Sequence, residues 1–272
     1  MRSPIEVSVV IPAYNEELRV GPVLADIVTS LRRAGRTHEV IVVDDGSMDG
    51  TSRLVNDLAA QYPELRLIRL PENRGKGHAV RTGVVNSRGE VVLFADADGA
   101  TPIGELARLE AALDAGADIA IGSRALANAE VKVNARAYRR LIGRLFHFLV
   151  SSLTVAGFQD TQCGFKLFRR HAAHDLFSRM LMSGFSFDVE VLLMAERRGY
   201  RAAEVPVNWT HQPGSKVNLA LDSMRMMRDL FIIRGNALRG KYDRPRIAPM
   251  VDAAPDALTT AVAHQPETSL TR

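Results

Sequence analysis

Two aspartates, Asp96 and Asp98, stand one residue apart directly after the apolar run 91–95. The run predicts a buried strand, and alternate residues of an extended chain point to the same side, so both carboxylates can face one point. Two neighbouring carboxylates are costly to bury unless a cation lies between them. Mg²⁺ takes its oxygen ligands from carboxylates and substrate phosphates. Because Asp and Gly also form ordinary turns, a simple solvated turn stays open at this point.

The Asp-x-Asp segment is one of several polar clusters that follow predicted strands. Apolar runs alternate with helical patterns along the first half of the chain, which predicts an α/β fold with a mostly parallel sheet flanked by helices. Ligands of such sheets bind at the carboxyl ends of the strands. The clusters at 14–17, 44–47, 96–98 and 123–124 fall at those ends, which predicts one site. The predicted strands are 7–11, 40–43, 65–70, 91–95 and 119–121. The first predicted helix ends at about residue 33, and the next three cover 51–62, 78–87 and 102–115.

Length and composition suit one large domain. The chain has 272 residues, of which 46% are hydrophobic, and a net charge of +4 with a pI near 9.4. This mild positive charge gives no argument for nucleic acid as a partner. The one cysteine, Cys163, excludes an internal disulfide and is expected to be a buried small hydrophobe. We expect no signal peptide and no membrane-spanning helix.

The second half of the sequence combines basic and apolar residues in helical stretches. A basic run between 132 and 144 precedes apolar residues at helical spacing, and residues 219–239 repeat the combination. Such amphipathic C-terminal helices are typical of membrane surfaces, but a packed helix with a charged outer face gives the same pattern. We also predict a polar turn at 160–166 leading into a helix, a helix at 185–198, a strand at 203–209 and a disordered tail from about 242. The basic run consists of Lys132, Arg136, Arg139, Arg140 and Arg144.

Taken together, four motifs resemble those of the inverting family 2 glycosyltransferases, which have a GT-A fold with a Rossmann-like sheet. The motifs are VVIPAYNE at 9–16, VVDDGS at 42–47 with DGT at 49–51, NRGKG at 73–77 and DAD at 96–98. Further segments, at 95–101, 121–124, 160–168, 187–190, 207–209 and 214–216, are similar to the dolichyl-phosphate β-glucosyltransferases. Those enzymes move glucose from UDP-glucose to a polyprenyl phosphate. The resemblance covers about residues 5–240 and favours a substrate site over a simple turn.

The resemblance implies roles for individual residues. A carboxylate at Asp45 suits the imide N–H of uracil, because it is an acceptor facing a donor. Asp96 and Asp98 would hold Mg²⁺ or Mn²⁺ on the diphosphate, and Lys76 and Lys216 would meet phosphates as point charges. Arg124 matches a position near the donor diphosphate or the acceptor phosphate. The implied donor-binding set is Pro12, Tyr14, Glu16, Asp45, Lys76, Asp96, Ala97, Asp98, Arg124 and Lys216, and the implied catalytic set is Asp98, Arg124, Asp160 and Lys216.

The resemblance also implies an organisation and a reaction. Residues 1–240 would form one GT-A domain, with a nucleotide-sugar half over about 1–125 and an acceptor- and membrane-facing half over 126–240, followed by a tail at 241–272. The protein would act as a peripheral enzyme at the cytoplasmic face of the membrane. Because a phosphate monoester is already an anion at neutral pH, with a second pKa of about 6, it could attack the anomeric carbon in line without a strong base, inverting the configuration.

Three alternatives stay open. A GDP-mannose donor is disfavoured, because the relatives that use it place a metal-ligating glutamine where this chain has Ala100. A soluble transferase that acts on a hydroxyl acceptor would need a general base, for which Asp160 and Asp188 are the candidates. A protein that binds nucleotide sugars without catalysis is disfavoured by the intact set of charged site residues.

Overall fold

Two sheets and their flanking helices make up the part of the chain that the structure describes. A computed structural model describes residues 4–126, 133–134, 157–212 and 219–243. The strands are β1 (Val7–Ala13), β2 (His38–Asp44), β3 (Leu65–Arg69), β4 (Val91–Ala95), β5 (Ile119–Ser123), β6 (Val133–Asn134), β7 (Phe165–Arg169), β8 (Ala202–Pro206) and β9 (Trp209–Thr210). The helices are α1 (Val20–Arg33), α2 (Thr51–Ala59), α3 (Lys76–Val85), α4 (Leu106–Asp114, preceded by a 3₁₀ turn at Ile103–Glu105), α5 (Arg170–Arg179), α6 (Phe187–Arg197) and α7 (Leu219–Leu238).

The larger sheet has seven strands in the order β3-β2-β1-β4-β7-β5-β8. Its neighbouring strands run parallel, except that β7 pairs antiparallel with both β4 and β5. The two short strands β6 and β9 pair parallel in a second sheet. Strands covered on both faces read as continuous apolar runs, and β2 is buried at every position. The carboxyl ends of β1, β2 and β4 therefore lie side by side at one edge.

Apolar layers cover both faces of the larger sheet. Because successive residues of a strand face opposite sides, Val10 of β1 joins one layer, while its neighbours Val9 and Ile11 join the other. The first layer packs against α3, α5, α6 and α7, and the second packs against α1, α2 and α4. Packing on both faces fixes the sheet, and with it the positions of the side chains at the strand ends.

The predicted mostly parallel sheet with flanking helices is confirmed. Strand β4 covers the predicted residues 91–95, and α1 ends at the predicted Arg33. Most other boundaries shift by a few residues; α2 ends at Ala59 rather than at 62, and α3 begins at Lys76 rather than at 78. The shift in α3 has a consequence for the site, because it puts Lys76 at the first position of the helix.

The prediction for residues 160–166 was incomplete, because a strand lies between the turn and the helix. Residues 165–169, Phe-Lys-Leu-Phe-Arg, form β7 between β4 and β5. Lys166 is only 1% exposed in this strand, and its charge made the segment look like a polar turn. The predicted strand at 203–209 was also wrong in extent. It is divided into β8, which pairs with β5, and the two-residue β9, which pairs with β6.

The predicted C-terminal helix is confirmed as α7, but the predicted tail begins too early. Tyr242 was placed in the tail; it is 1% exposed, and its hydroxyl donates to Glu190 Oε1 at 2.9 Å. The packed chain therefore continues past the predicted boundary at residue 240. Two residues of the basic helix expected between 132 and 144 are described, and they form strand β6 instead (Val133–Asn134). The rest of that helix and the rest of the predicted tail lie outside the described residues. Among the described helices, none combines the length and apolarity needed to cross a bilayer.

Two helical glycines test how closely the helices pack on the sheet. A Cβ at Gly83 in α3 would lie 2.3 Å from Val10 Cγ1, whereas one at Gly21 in α1 would be 3.4 Å from Leu54 Cδ2, an ordinary contact. We expect Gly83→Ala to lower the free energy of unfolding by about 1–3 kcal/mol through overpacking. Gly21→Ala should leave it unchanged or raise it by up to about 1 kcal/mol. Urea denaturation measures both, and equal stabilities for the two variants would contradict the close packing of α3.

Candidate active site

Hydrogen bonds tie the loops after β1 and β2 together at the carboxyl edge of the sheet. The backbone N–H of Asn15 donates to Ser47 Oγ at 2.8 Å, and that of Glu16 donates to Thr51 Oγ1 at 2.7 Å. Asn15 has a φ of 53°, a left-handed conformation that is uncommon outside glycine. The loop is thus held in one shape by its neighbour. Three residues to which the resemblance assigns nucleoside binding are half-buried here: Pro12 near the end of β1, and Tyr14 and Glu16 in this loop.

Asp45, predicted to meet the uracil, fastens the loop that precedes α3. Its two carboxylate oxygens accept the backbone N–H groups of Arg74 at 2.9 Å and Gly75 at 2.8 Å. Asp45 is 3% exposed. Gly75 has a φ of 99°, which a residue with a side chain would adopt only under strain. The loop can therefore turn sharply into α3 and start the helix at Lys76.

Lys76 and Asp96 form an ion pair that joins α3 to the end of β4. Lys76 Nζ lies 2.7 Å from Asp96 Oδ1, and it also lies 5.2 Å from the centre of the Phe94 ring. Burial alone would lower the pKa of Lys76, but the carboxylates of Asp96, Asp188 and Asp98 together outweigh burial, and the pKa lies above its ordinary value. Lys76 is therefore a cation at neutral pH. A Cβ at Gly164 would lie 1.9 Å from Asp96 Oδ2, so the glycine leaves room for this carboxylate.

Asp98 is the second carboxylate at the end of β4 and sits in a turn. Its Oδ1 accepts the N–H of Ala100 at 3.0 Å. Burial raises the pKa of the Asp98 carboxyl, and the neighbouring charge of Asp96 raises it further. A divalent cation between the two aspartates would relieve both effects, so their chemistry fits Mg²⁺ or Mn²⁺. Within the described ranges no group of three or more His, Cys, Asp or Glu residues could hold a metal ion, and phosphates of a substrate would have to complete the coordination.

Arg124 and Asp160 form a bidentate ion pair where β5 ends. Arg124 donates through Nε at 2.6 Å and through Nη2 at 2.7 Å, and its backbone N–H reaches the same carboxylate at 3.0 Å. Burial would raise the pKa of the Asp160 carboxyl, but the guanidinium outweighs burial and holds the pKa below its usual value. The guanidinium also lies 5.5 Å from the centre of the Trp209 ring. These contacts leave Arg124 a fixed, permanently charged group.

A buried pair, Lys166 and Asp188, lies behind these residues. Lys166 Nζ is 2.5 Å from Asp188 Oδ1, and it also donates to the carbonyl of Cys163 at 2.6 Å. Asp188 is only 4% exposed, and this burial raises the pKa of its carboxyl. The carboxyl group is also bonded to Lys166, so it is not open to a substrate. Lys166 was not among the predicted site residues. A lysine flanked by the apolar residues Phe165 and Leu167 was the available signal, because buried lysines need a partner.

Glu190 belongs to the segment 187–190 that carries the resemblance but was not among the predicted site residues, and it supports the site from within α6. It is fully buried, and its carboxylate accepts the N–H groups of Leu181 and Met182 at 2.8–3.1 Å and the Tyr242 hydroxyl at 2.9 Å. Burial raises the pKa of Glu190 to about 7. The loop that it holds continues to Ser183, whose carbonyl accepts the N–H of His78 in α3. Glu190 therefore supports the same helix end that carries Lys76.

The structure brings most of the predicted site residues to one edge. A cavity of about 360 Å³ opens there, and Asp96, Asp98, Arg19 and Phe165 are among its lining residues. Ala97, between the two aspartates, is buried. Lys216 lies outside the described residues, so its predicted role stays a prediction. Cys163 is 1% exposed, and burial raises its pKa to about 12, which agrees with the expected inert, buried thiol.

Comparisons of the sequence with known proteins indicate one family, and a comparison of the structure indicates one fold. The model of glycosyl transferase family 2 matches residues 8–177. The chain is 43% identical over 230 residues to a dolichyl-phosphate beta-glucosyltransferase of Trichomonas vaginalis, covering 80% of this chain and 68% of that protein. It is 41% identical over 250 residues to the human dolichyl-phosphate beta-glucosyltransferase, covering 87% and 77%. A glucosyl-3-phosphoglycerate synthase from Mycobacterium tuberculosis, crystallised with Mn²⁺, UDP and glucosyl-3-phosphoglycerate, has a TM-score of 0.61 at 21% identity, covering 89% and 81%.

The chain belongs to the family 2 glycosyltransferases. The predicted resemblance is confirmed, and the protein is a glycosyltransferase. The similarity to the solved structure confirms the GT-A fold.

Glu190 makes the stability of the protein depend on pH. Its pKa is about 7 in the folded protein against an ordinary 4.5, so between these values the folded state binds a proton that the unfolded state releases. The free energy of unfolding must then fall as pH rises through this window, by up to about 3 kcal/mol at about 1.4 kcal/mol per pKa unit. We expect Glu190→Gln to remove this dependence in urea denaturation between pH 4.5 and 8.

A matched control for this measurement is Glu196→Gln, which changes an exposed glutamate of the same helix. Its unfolding profile should follow that of the wild type at every pH. If Glu190→Gln also follows the wild type, the raised pKa of Glu190 is contradicted.

Proposed function

We propose that this protein transfers glucose from UDP-glucose to a polyprenyl phosphate, with inversion at the anomeric carbon. The two relatives at 41–43% identity are named dolichyl-phosphate beta-glucosyltransferases, which supports both the sugar and the class of acceptor. UDP is bound in the crystals of the solved structure that shares the fold, and this supports a uridine nucleotide as donor.

One observation carries the choice of acceptor, namely that cations engage both candidate bases. Asp160 is held by Arg124 in a bidentate pair, and Asp188 is buried against Lys166. A hydroxyl acceptor would need a carboxylate free to take its proton. An acceptor phosphate carries its negative charge already and needs positioning next to cations. The arrangement therefore favours a phosphate as the nucleophile.

In the proposed reaction, different site residues bind the nucleoside, contact the phosphates and stabilise the developing charge. The loop with Tyr14 and Glu16, together with Asp45, receives the nucleoside, and Lys76 and Lys216 contact phosphates. Arg124, fixed by Asp160, orients the reacting phosphates and stabilises the negative charge that accumulates on the departing UDP. In-line attack then depends on holding the acceptor oxygen opposite the departing diphosphate.

Asp96 and Asp98 would hold Mg²⁺ or Mn²⁺ against the donor diphosphate. The raised pKa of Asp98, caused by burial and by the charge of Asp96, supports a cation at this place. When bound, the metal supplies Lewis acidity that neutralises the leaving diphosphate. Mn²⁺ accompanies UDP in the solved structure that shares the fold.

The outer face of α7 supports a peripheral contact with the membrane. Met224, Phe231 and Leu238 recur every seven residues, and their exposed fractions are 63%, 59% and 77%. Arg225 and Arg228 lie exposed on the same helix. Exposed apolar side chains beside arginines suit an anionic lipid surface. We therefore place the proposed enzyme on the cytoplasmic face of the membrane, whose leaflet is rich in anionic lipids.

A radiolabel assay tests the proposed reaction. Purified protein with Mg²⁺ and a polyprenyl phosphate receives labelled UDP-glucose in one tube and labelled GDP-mannose in another. We expect label in the organic phase from UDP-glucose, and an at least 100-fold slower reaction for Asp98→Ala, about the loss caused by removing one group that stabilises charge. Asp57→Ala, at an exposed position of α2, should be as active as the wild type.

Other results of this assay would overturn parts of the proposal. Label from GDP-mannose alone would contradict the donor and keep the acceptor. No organic label from either donor, together with rapid transfer to a water-soluble hydroxyl acceptor, would contradict the acceptor.

The Arg124–Asp160 pair provides a separate prediction. Asp160→Asn removes the charge that fixes Arg124, and we expect kcat to fall by about 10- to 100-fold, as for other positioning partners, with KM for UDP-glucose within threefold of the wild type. Asp118→Asn is the control. Asp118 lies just before β5 begins, where it accepts the N–H of Arg201, and its substitution should leave kcat and KM unchanged. A different result would identify Asp160 as a base. In that case the kcat of the wild type would rise tenfold per pH unit below neutrality, and the kcat of Asp160→Asn would show no such rise.

A further inference from the structure

A second cavity, of about 440 Å³, lies beside the candidate active site. It is bounded by the loop before α3, by residues 182–185 and by α7, and we call it the α3–α7 groove. None of the roles assigned above to the donor or the metal uses its α7 wall or its loop wall.

The loop wall of the groove is firmly held. Glu190 accepts two of its backbone N–H groups, from Leu181 and Met182. A Cβ at Gly75 would lie 2.5 Å from the Ser183 carbonyl oxygen, which shows how closely the loop packs on the turn before α3. The helix wall is tied to the same region by a hydrogen bond from Ser186 Oγ to Asp229 Oδ2 at 3.0 Å. The segment after the helix adds a second hydrogen bond, from the Tyr242 hydroxyl to Glu190 Oε1 at 2.9 Å. The groove is therefore a built feature of the fold.

The lining of the groove suits an amphiphile with an anionic head. Large apolar side chains come from both walls, and the charged side chains are three cations and one carboxylate. A nucleoside would leave the apolar side chains without matching surface, whereas an isoprenoid chain would cover them. The apolar residues are Met182, Phe185, Met226 and Ile232; the charged ones are Lys76, Arg225, Arg228 and Asp229.

The position of the groove links it to both the reaction and the membrane. Lys76 lines the groove and contacts Asp96, which lines the cavity at the sheet edge. A phosphate at the Lys76 end would thus lie next to the reacting centre. On the other side, the exposed apolar residues Met224 and Phe231 belong to the same helix as the groove wall. A chain that leaves the groove along α7 meets an apolar surface.

We propose that the α3–α7 groove binds the phosphate-proximal isoprene units of the acceptor, with the phosphate at Lys76 and the chain between Phe185 and Ile232. This inference rests on the proposed function for its choice of ligand. It adds a binding site and an orientation, because the lipid enters past α7 and presents its phosphate to the edge where Asp96 and Asp98 lie. The groove residues then select for an isoprenoid next to the phosphate.

Calorimetric titration of the full chain with farnesyl phosphate, without vesicles or donor, tests the groove. We expect Phe185→Ser and Ile232→Ser each to raise the Kd about tenfold, the effect of losing roughly 1.4 kcal/mol of apolar contact, and to leave the Kd for UDP-glucose unchanged. Leu181→Ser is the matched control, because Leu181 is 41% exposed on the same loop but does not line the groove. Its Kd for farnesyl phosphate should stay within twofold of the wild type.

Four results would overturn the inference. The first two concern farnesyl phosphate: the wild type does not bind it, or the groove variants bind it as well as Leu181→Ser does. The other two are weaker binding of UDP-glucose by the groove variants, and an equal loss of affinity for farnesyl phosphate in Phe231→Ser, which would point to the helix face as a whole. The proposed function fails differently. A protein that binds farnesyl phosphate in the groove, yet transfers no glucose to polyprenyl phosphates, would contradict the reaction and leave the groove in place.

Discussion

Negative charge gathered at one edge of the sheet is the constraint on which the site depends. Strand β2 ends at Asp44 and is followed by Asp45, and β4 is followed by Asp96 and Asp98, with only β1 between the two strands. Buried carboxylates are stable where hydrogen-bond donors or cations meet them. Backbone N–H groups meet Asp45, and Lys76 meets Asp96. Since the same Asp45 contacts shape the turn that carries Lys76, one carboxylate positions the cation that stabilises another.

The ion pairs of the site each join elements that are distant in sequence. Lys76 of α3 meets Asp96 after β4, Lys166 of β7 meets Asp188 of α6, and Arg124 after β5 meets Asp160 in the loop before β7. The antiparallel β7 brings its lysine between the parallel strands β4 and β5. Removing one partner of a buried pair leaves an uncompensated charge, so these pairs fix how the elements meet as well as the local field.

The edge of the sheet was predictable from the sequence because its signals are local. The apolar run 91–95 followed by Asp96 and Asp98 places a strand and its polar end within eight residues, and the same pattern recurs after β1 and β2. Strand β7 and the supporting carboxylate Glu190 were not predictable in this way. Their meaning depends on partners far along the chain, Asp188 for Lys166 and Tyr242 for Glu190, and a pattern within one segment carries no information about such contacts.

Lys76 has a special place because its ion pair joins the two cavities. Lys76 lines the α3–α7 groove, and its partner Asp96 lines the cavity at the sheet edge. Burial works against the charge of Lys76, and the surrounding carboxylates outweigh that effect, so the cation persists at neutral pH. In the proposed reaction, an acceptor phosphate in the groove would meet the charge of Lys76, whereas a donor diphosphate in the other cavity would meet a cation held by Asp96 and Asp98. The two anionic substrates would then come together across this one ion pair, provided that the carboxylates keep Lys76 charged and Asp45 keeps it in place.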